Sequence, residues 1–94
     1  MSKKPSRVSA RKLLAENLRM ARGMFGWSQM QLGLECGLDR TYVGALERAS
    51  ASAGLDVLDK LAGGFDVPVN VLLLQPDEAQ PTLYAAFRRR KPFP

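Results

Sequence analysis

The chain has 94 residues, 46% of them apolar and 24% charged, which suits one small globular domain rather than two. It contains no histidine and a single cysteine, Cys36, so the commonest general base and metal ligand are missing and no internal disulfide or paired-cysteine site can form. The net charge of +5 collects at the ends: seven basic residues oppose one acid in 1–22, three oppose eight in 23–87, and four stand unopposed in 88–94, a distribution suited to a polyanionic partner.

Residues 1–10 hold Ser, Lys, Arg and Pro with little to bury and read as a flexible basic arm. A first helix is expected from about Arg11 to Phe25, because Leu14, Leu18, Ala21 and Phe25 recur at helical steps and Gly26 supplies a stop. Ser28 and Gln31 have the spacing of a capping box, with Trp27 and Leu32 placed to staple the entry to a second helix. Gly37 ends that helix, and Asp39 caps a third almost at once. Two helices joined by about three residues with a glycine in the turn make a helix-turn-helix. Ser50 to Gly54 reads as a loop, and a fourth helix follows with Leu55, Leu58, Leu61, Ala62 and Phe65 on its buried side. After a turn at Asp66 and Val67, Pro68 opens a fifth helix ending near Leu74. No segment alternates with period two, so the expected fold is all-α with five short helices over 11–74, followed by a Pro-punctuated basic tail over 75–94. Within that tail Arg88 to Lys91 reads as a solvated run, while Leu83, Tyr84 and Phe87 have a helical spacing that would let them dock on the body or on a partner subunit.

The stretch Ser28 to Glu47 carries the functional signal. Gly33 leaves room for the second helix of the pair, and Leu32, Cys36, Leu38, Val43 and Leu46 form the shared apolar seam. Arg40, Thr41, Gly44, Ala45 and Arg48 then face outward, with long donors at the ends and small residues between them. This shape suits a helix whose N-terminal residues approach base edges in the DNA major groove.

Gly26-Trp27-Ser28-Gln29, Gly33, Gly37, Asp39 to Val43 and Glu47-Arg48 together resemble the helix-turn-helix of the lambda-repressor/Cro-like, Xre-type transcriptional regulators, over about Leu13 to Leu74. The resemblance implies that Gln29 contacts phosphate and braces the reading helix, and that Arg40 and Thr41 read bases with Gly44 and Ala45 one turn further on. It also implies that Arg22 and Glu47 form a buried ion pair. Tyr42 can either pack or donate its hydroxyl to a phosphate, the second being the reading preferred. Many relatives carry glycine where this chain has Ala49, and glycine again where it has Asp66.

The apolar run Val67 to Leu74 exceeds what one face of a two-turn helix can bury, so a homodimer is expected through Val69, Leu72 and Leu73, with Gly63 and Gly64 letting the fourth helices approach. The leading expectation is a cytoplasmic, dimeric, sequence-specific regulator of transcription acting on a near-palindromic double-stranded operator. A restriction–modification controller, a phage-type repressor and an antitoxin-type autoregulator all fit this size. The alternative is a protein-interaction module or antitoxin-type partner-binding protein that keeps the fold; the signature of a module that reads no operator, acidic or bulky apolar residues in place of Arg40 and Thr41, is absent. No catalytic residue, metal, cofactor, small-molecule effector or membrane segment is expected: the basic start lacks a following apolar signal region, and the longest apolar run is broken by Pro68 and Asn70.

Overall fold

A computed structural model describes residues 9–90, and the arm expected over 1–10 lies mostly outside them. Five α-helices and one short 3-10 helix follow one another without a strand among the described residues: α1 (Ala10–Phe25), α2 (Gln29–Cys36), α3 (Arg40–Glu47), α4 (Leu55–Phe65), the 3-10 helix Val69–Leu73, and α5 (Pro76–Arg90). No helix of the described residues is long and apolar enough to cross a membrane.

Local chemistry sets the boundaries. The Ser9 hydroxyl accepts from the Lys12 amide and opens α1, while the Ser28–Gln31 capping box forms in full at the start of α2. The Asp39 carboxylate accepts from the Thr41 amide and opens α3. Gly37 closes α2 at φ 69°, a left-handed conformation that glycine adopts without a Cβ penalty. Asp66 takes the same role after α4 at φ 61°, as a short polar side chain can.

Leu14, Leu18 and Ala21 of α1 meet Leu32 and Cys36 of α2, Val43 and Leu46 of α3, and Leu58, Leu61, Ala62 and Phe65 of α4 in one core. The expected seam of the helix-turn-helix is therefore present. Gly33 is required by the turn rather than by the second helix, since a Cβ there would lie 2.5 Å from the Leu38 carbonyl oxygen.

Several expectations about the second half are corrected. The segment from Gln75 is not a tail: Pro76–Arg90 is helical, and Ala79, Leu83 and Ala86 are fully buried against the body. Pro76 occupies the first helical position, which its missing amide hydrogen suits, and Pro81 lies further inside α5 on an exposed side. The fifth helix expected from Pro68 is only the 3-10 helix, and α5 helps bury its apolar excess: Leu72 is at 0% exposure and Val71 at 4% within one chain. Leu72 thus has no surface to offer a second subunit, whereas Val69 and Leu73 are half-buried. Gly64 likewise serves the single chain, because a Cβ there would lie 2.4 Å from the Cys36 sulfur. On α4 the expected burial of Leu55 also fails, with the side chain 79% exposed.

Asn17, fully buried in α1, donates to the carbonyls of Leu72 (2.9 Å) and Leu74 (2.8 Å) and so fixes the 3-10 helix across the core. Its own carbonyl oxygen has no hydrogen-bond partner among the described residues.

Candidate nucleic-acid interface

The site is built around a buried carboxylate. Glu47, 3% exposed at the end of α3, accepts from Arg22 of α1 through two parallel bonds, Nε to Oε2 at 2.7 Å and Nη2 to Oε1 at 3.0 Å. The same Oε1 accepts from Gln29 Nε2 at 3.1 Å, and Arg22 Nη1 donates to the Trp27 carbonyl at 3.0 Å. Arg19 donates to the Glu47 backbone carbonyl, satisfying the free end of α3. Hydrogen bonding to Glu47 raises the Arg22 pKa above the ordinary arginine value, against the opposing effect of burial and with a smaller contribution from the carboxylate charge. The pair is thus met, as the resemblance implied, and its fork geometry fixes the orientation of α3 on α1 as well as its distance.

Gln29 supplies the bracing expected of it: it bonds Glu47, and its Oε1 lies beside Gly44, where a Cβ would meet that oxygen at 3.4 Å. Gly44 therefore does not lie open on the outer face. It is buried under Gln29 and the Arg48 guanidinium, whose Nη1 would lie 3.2 Å from such a Cβ. Arg40, Thr41 and Arg48 are exposed and Ala45 is half-buried, so the outer face of α3 is two arginines and a threonine around a shallow floor.

Tyr42 departs from expectation. Its hydroxyl donates to the Ser52 carbonyl at 2.6 Å, so its one proton holds the loop after α3 and is not available to a phosphate in this conformation. The same loop is tied at Ser52 Oγ by Arg11 Nη2 (3.2 Å) and at Ser50, whose hydroxyl and amide both donate to the Ala45 carbonyl. Ala49, where the resemblance implied a glycine, sits at φ 60° in the left-handed region. Arg11 and Arg19 of α1 therefore reach the end of α3 and the loop that follows it, adding two cations from the first helix to the arginines of the reading helix.

Trp27 packs among aromatic rings, stacked on Phe65 (centroids 5.4 Å) and tilted against Phe25 (4.9 Å), with Arg90 of α5 over its ring at 4.9 Å. Cys36 is buried, and desolvation together with the nearby Glu35 charge pushes its thiol up to about 11 despite the opposing charge of Arg90, which makes it an inert core group. No cluster of residues suited to holding a metal ion occurs among the described residues.

A helix-turn-helix family profile matches residues 18–72. The chain is 43% identical over 74 residues to a hypothetical transcription factor of Neisseria meningitidis serogroup B, covering 79% of this chain and 70% of that protein. It is 40% identical over 66 residues to the control protein C.SmaI of Serratia marcescens (70% and 79% covered) and 30% identical over 73 residues to the HTH-type transcriptional regulator SutR of Escherichia coli K12 (78% and 41% covered). Among solved structures, the crystal structure of the hypothetical transcription factor NHTF from Neisseria matches with a TM-score of 0.72 at 40% identity, covering 86% of this chain and 93% of that one.

Proposed function

Because the chain belongs to the lambda-repressor/Cro-like, Xre-type helix-turn-helix family of transcription regulators, we propose that it is a homodimeric, sequence-specific repressor or controller that reads a near-palindromic operator with α3 and acts on its own or a neighbouring promoter. The observation that carries this reading is the outer face of α3: Arg40, Thr41 and Arg48 are exposed, the helix behind them is locked by the Arg22–Glu47–Gln29 network, and Arg11 and Arg19 flank it from α1. Long donors on a rigid helix are suited to base edges, and cations around them to phosphates.

Arg40 takes the role of base reader and Gln29 that of a phosphate contact that also braces α3; one amide hydrogen of Gln29 is spent on Glu47, leaving the other for phosphate. Selecting binding sites from random duplexes with wild type, Arg40→Ala and Gln29→Ala tests both roles. Arg40→Ala should lose preference at one base position, worth roughly 1–3 kcal/mol of discrimination. Gln29→Ala should weaken all sequences and leave the consensus unchanged. A uniform loss for Arg40→Ala, or an altered consensus for Gln29→Ala, overturns the corresponding role.

The dimer contact moves from Leu72 to the surface beside it. Leu14, Ala53, Leu58 and Leu73 line a cleft of about 130 Å³, and the exposed Leu55 stands one helical turn from Leu58 on α4. A protruding side chain next to its own hole is self-complementary about a two-fold axis, and such an axis would set two reading helices about one DNA turn apart, roughly 34–36 Å.

A further inference from the structure

Helix α5 lies beyond the matched helix-turn-helix segment 18–72, yet its last residue makes a three-way contact with the reading unit. Arg90 Nη2 pairs with Glu35 Oε1 at 2.6 Å, Arg90 Nη1 donates to the Gly64 carbonyl at 3.1 Å, and the guanidinium carbon lies 4.9 Å from the centroid of the Trp27 ring. These partners are not scattered. Trp27 immediately precedes the Ser28 cap of α2, Glu35 is in the last turn of α2, and Gly64 is the residue of α4 that touches Cys36 at the end of α2. One guanidinium therefore holds both ends of an eight-residue helix against α4.

An isolated helix of two turns has little stability of its own, so its position is decided by what clasps it. Position matters here because α3 is coupled to α2 almost rigidly: Leu38 O is pressed against Gly33, and Gln29 of α2 reaches Glu47 of α3. The neighbouring arginines lack this reach. Among the described residues, Arg88 meets Tyr84 on its own helix, and Arg89 meets Asp66 at the end of α4.

We propose that Arg90 is a positioning residue for DNA binding, acting through α2 to set the angle at which α3 enters the groove. The inference rests on the DNA-reading function proposed above. It opposes the simplest electrostatic account, in which a basic residue near the chain end adds affinity by meeting phosphate. The two accounts differ in sign at Glu35. If charge alone mattered, Glu35→Gln would tighten binding to a polyanion; if Glu35 is the clasp for Arg90, its loss weakens binding.

The test uses the full chain and a duplex selected with the wild-type protein, at a temperature where every variant is folded by circular dichroism. Arg90→Gln and Glu35→Gln should each lower affinity, by roughly tenfold or about 1.4 kcal/mol, with the double variant no worse than either. The consensus and the salt slope should stay those of wild type, since removal of a true phosphate contact would reduce that slope by about 0.9. Arg88→Gln serves as the charge-matched control and should show no such coupling to Glu35. A reduced salt slope for Arg90→Gln, or equal or tighter binding by Glu35→Gln, overturns the proposal. Amide exchange in the free protein separates the two levels: faster exchange across Leu32 to Cys36 in both variants upholds the clasp even if wild type binds no duplex, an outcome that would sink the DNA-reading function alone. Unchanged exchange there overturns the clasp itself.

Discussion

Arg22 and Glu47 form one ion pair with two unequal partners. The carboxylate is 3% exposed and the guanidinium 26%, so the two deletions strand different charges. Arg22→Met leaves a buried carboxylate with only Gln29 as a side-chain donor and should cost about 3–5 kcal/mol in denaturant melts. Glu47→Gln leaves a guanidinium that still donates to the Trp27 carbonyl and can reach water, so a smaller loss of about 1–3 kcal/mol is expected. Equal and small losses from both sides would show that the pair does not hold α3. Ala49 offers the opposite sign. At φ 60° its Cβ strains the left-handed turn after α3, which costs a non-glycine residue about 1–2 kcal/mol, partly offset by the greater chain entropy that glycine loses on folding. Ala49→Gly should therefore stabilise the protein by up to about 1 kcal/mol, seen as a rise of several degrees in melting temperature. A fall would mean that the half-buried methyl group contributes more through packing than the backbone loses through strain.

Among the elements, those whose ends are chemically marked were legible in the sequence. The Ser28–Gln31 box, the Asp39 cap and the left-handed stops at Gly26 and Gly37 are local events, decided within a few residues, and the reading helix with its buried Val43 and Leu46 followed from them. The ion pair and the bracing role of Gln29 came from family resemblance, because no spacing rule brings residues 22, 29 and 47 together. What escaped was decided at long range. Pro76 and Pro81 looked like interruptions, yet the first suits a helix start and the second lies on an exposed side of α5, while Ala79, Leu83 and Ala86 make a narrow stripe whose worth depends on α1 and the 3-10 helix being there to receive it. The bond that Tyr42 makes in the free chain escaped for a related reason: its partner is a backbone carbonyl ten residues away, invisible to any side-chain pattern. Leu83→Ala distinguishes a packed helix from a tail. Truncating a side chain at 0% exposure should cost about 2–5 kcal/mol, whereas the same change in a solvated tail would leave the unfolding midpoint where it was.

On the scale of the whole molecule, the surface left over after α5 closes the core decides how two copies could meet. Leu55 contributes little to its own chain, being 79% exposed, so Leu55→Glu should leave the monomer folded while shifting sedimentation at micromolar concentration from dimer to monomer and weakening binding to a two-half-site duplex. A wild-type monomer that binds a single half-site with full affinity would remove the dimer from the proposal. The fold also ties its two ends together: Asn17 of α1 reaches carbonyls at residues 72 and 74, and α5 supplies part of the core against which α1 packs. During synthesis, the reading pair α2–α3 leaves the ribosome well before the residues that complete its support. Until residues 72 and 74 are made Asn17 lacks its acceptors, and until α5 is complete Glu35 lacks its guanidinium and α1 keeps an uncovered apolar stripe. A product ending near residue 75 would carry every residue proposed to touch DNA without the α5 stripe that covers α1 or the guanidinium of Arg90, so that competence to regulate would depend on residues 76–90, none of which is proposed to touch DNA.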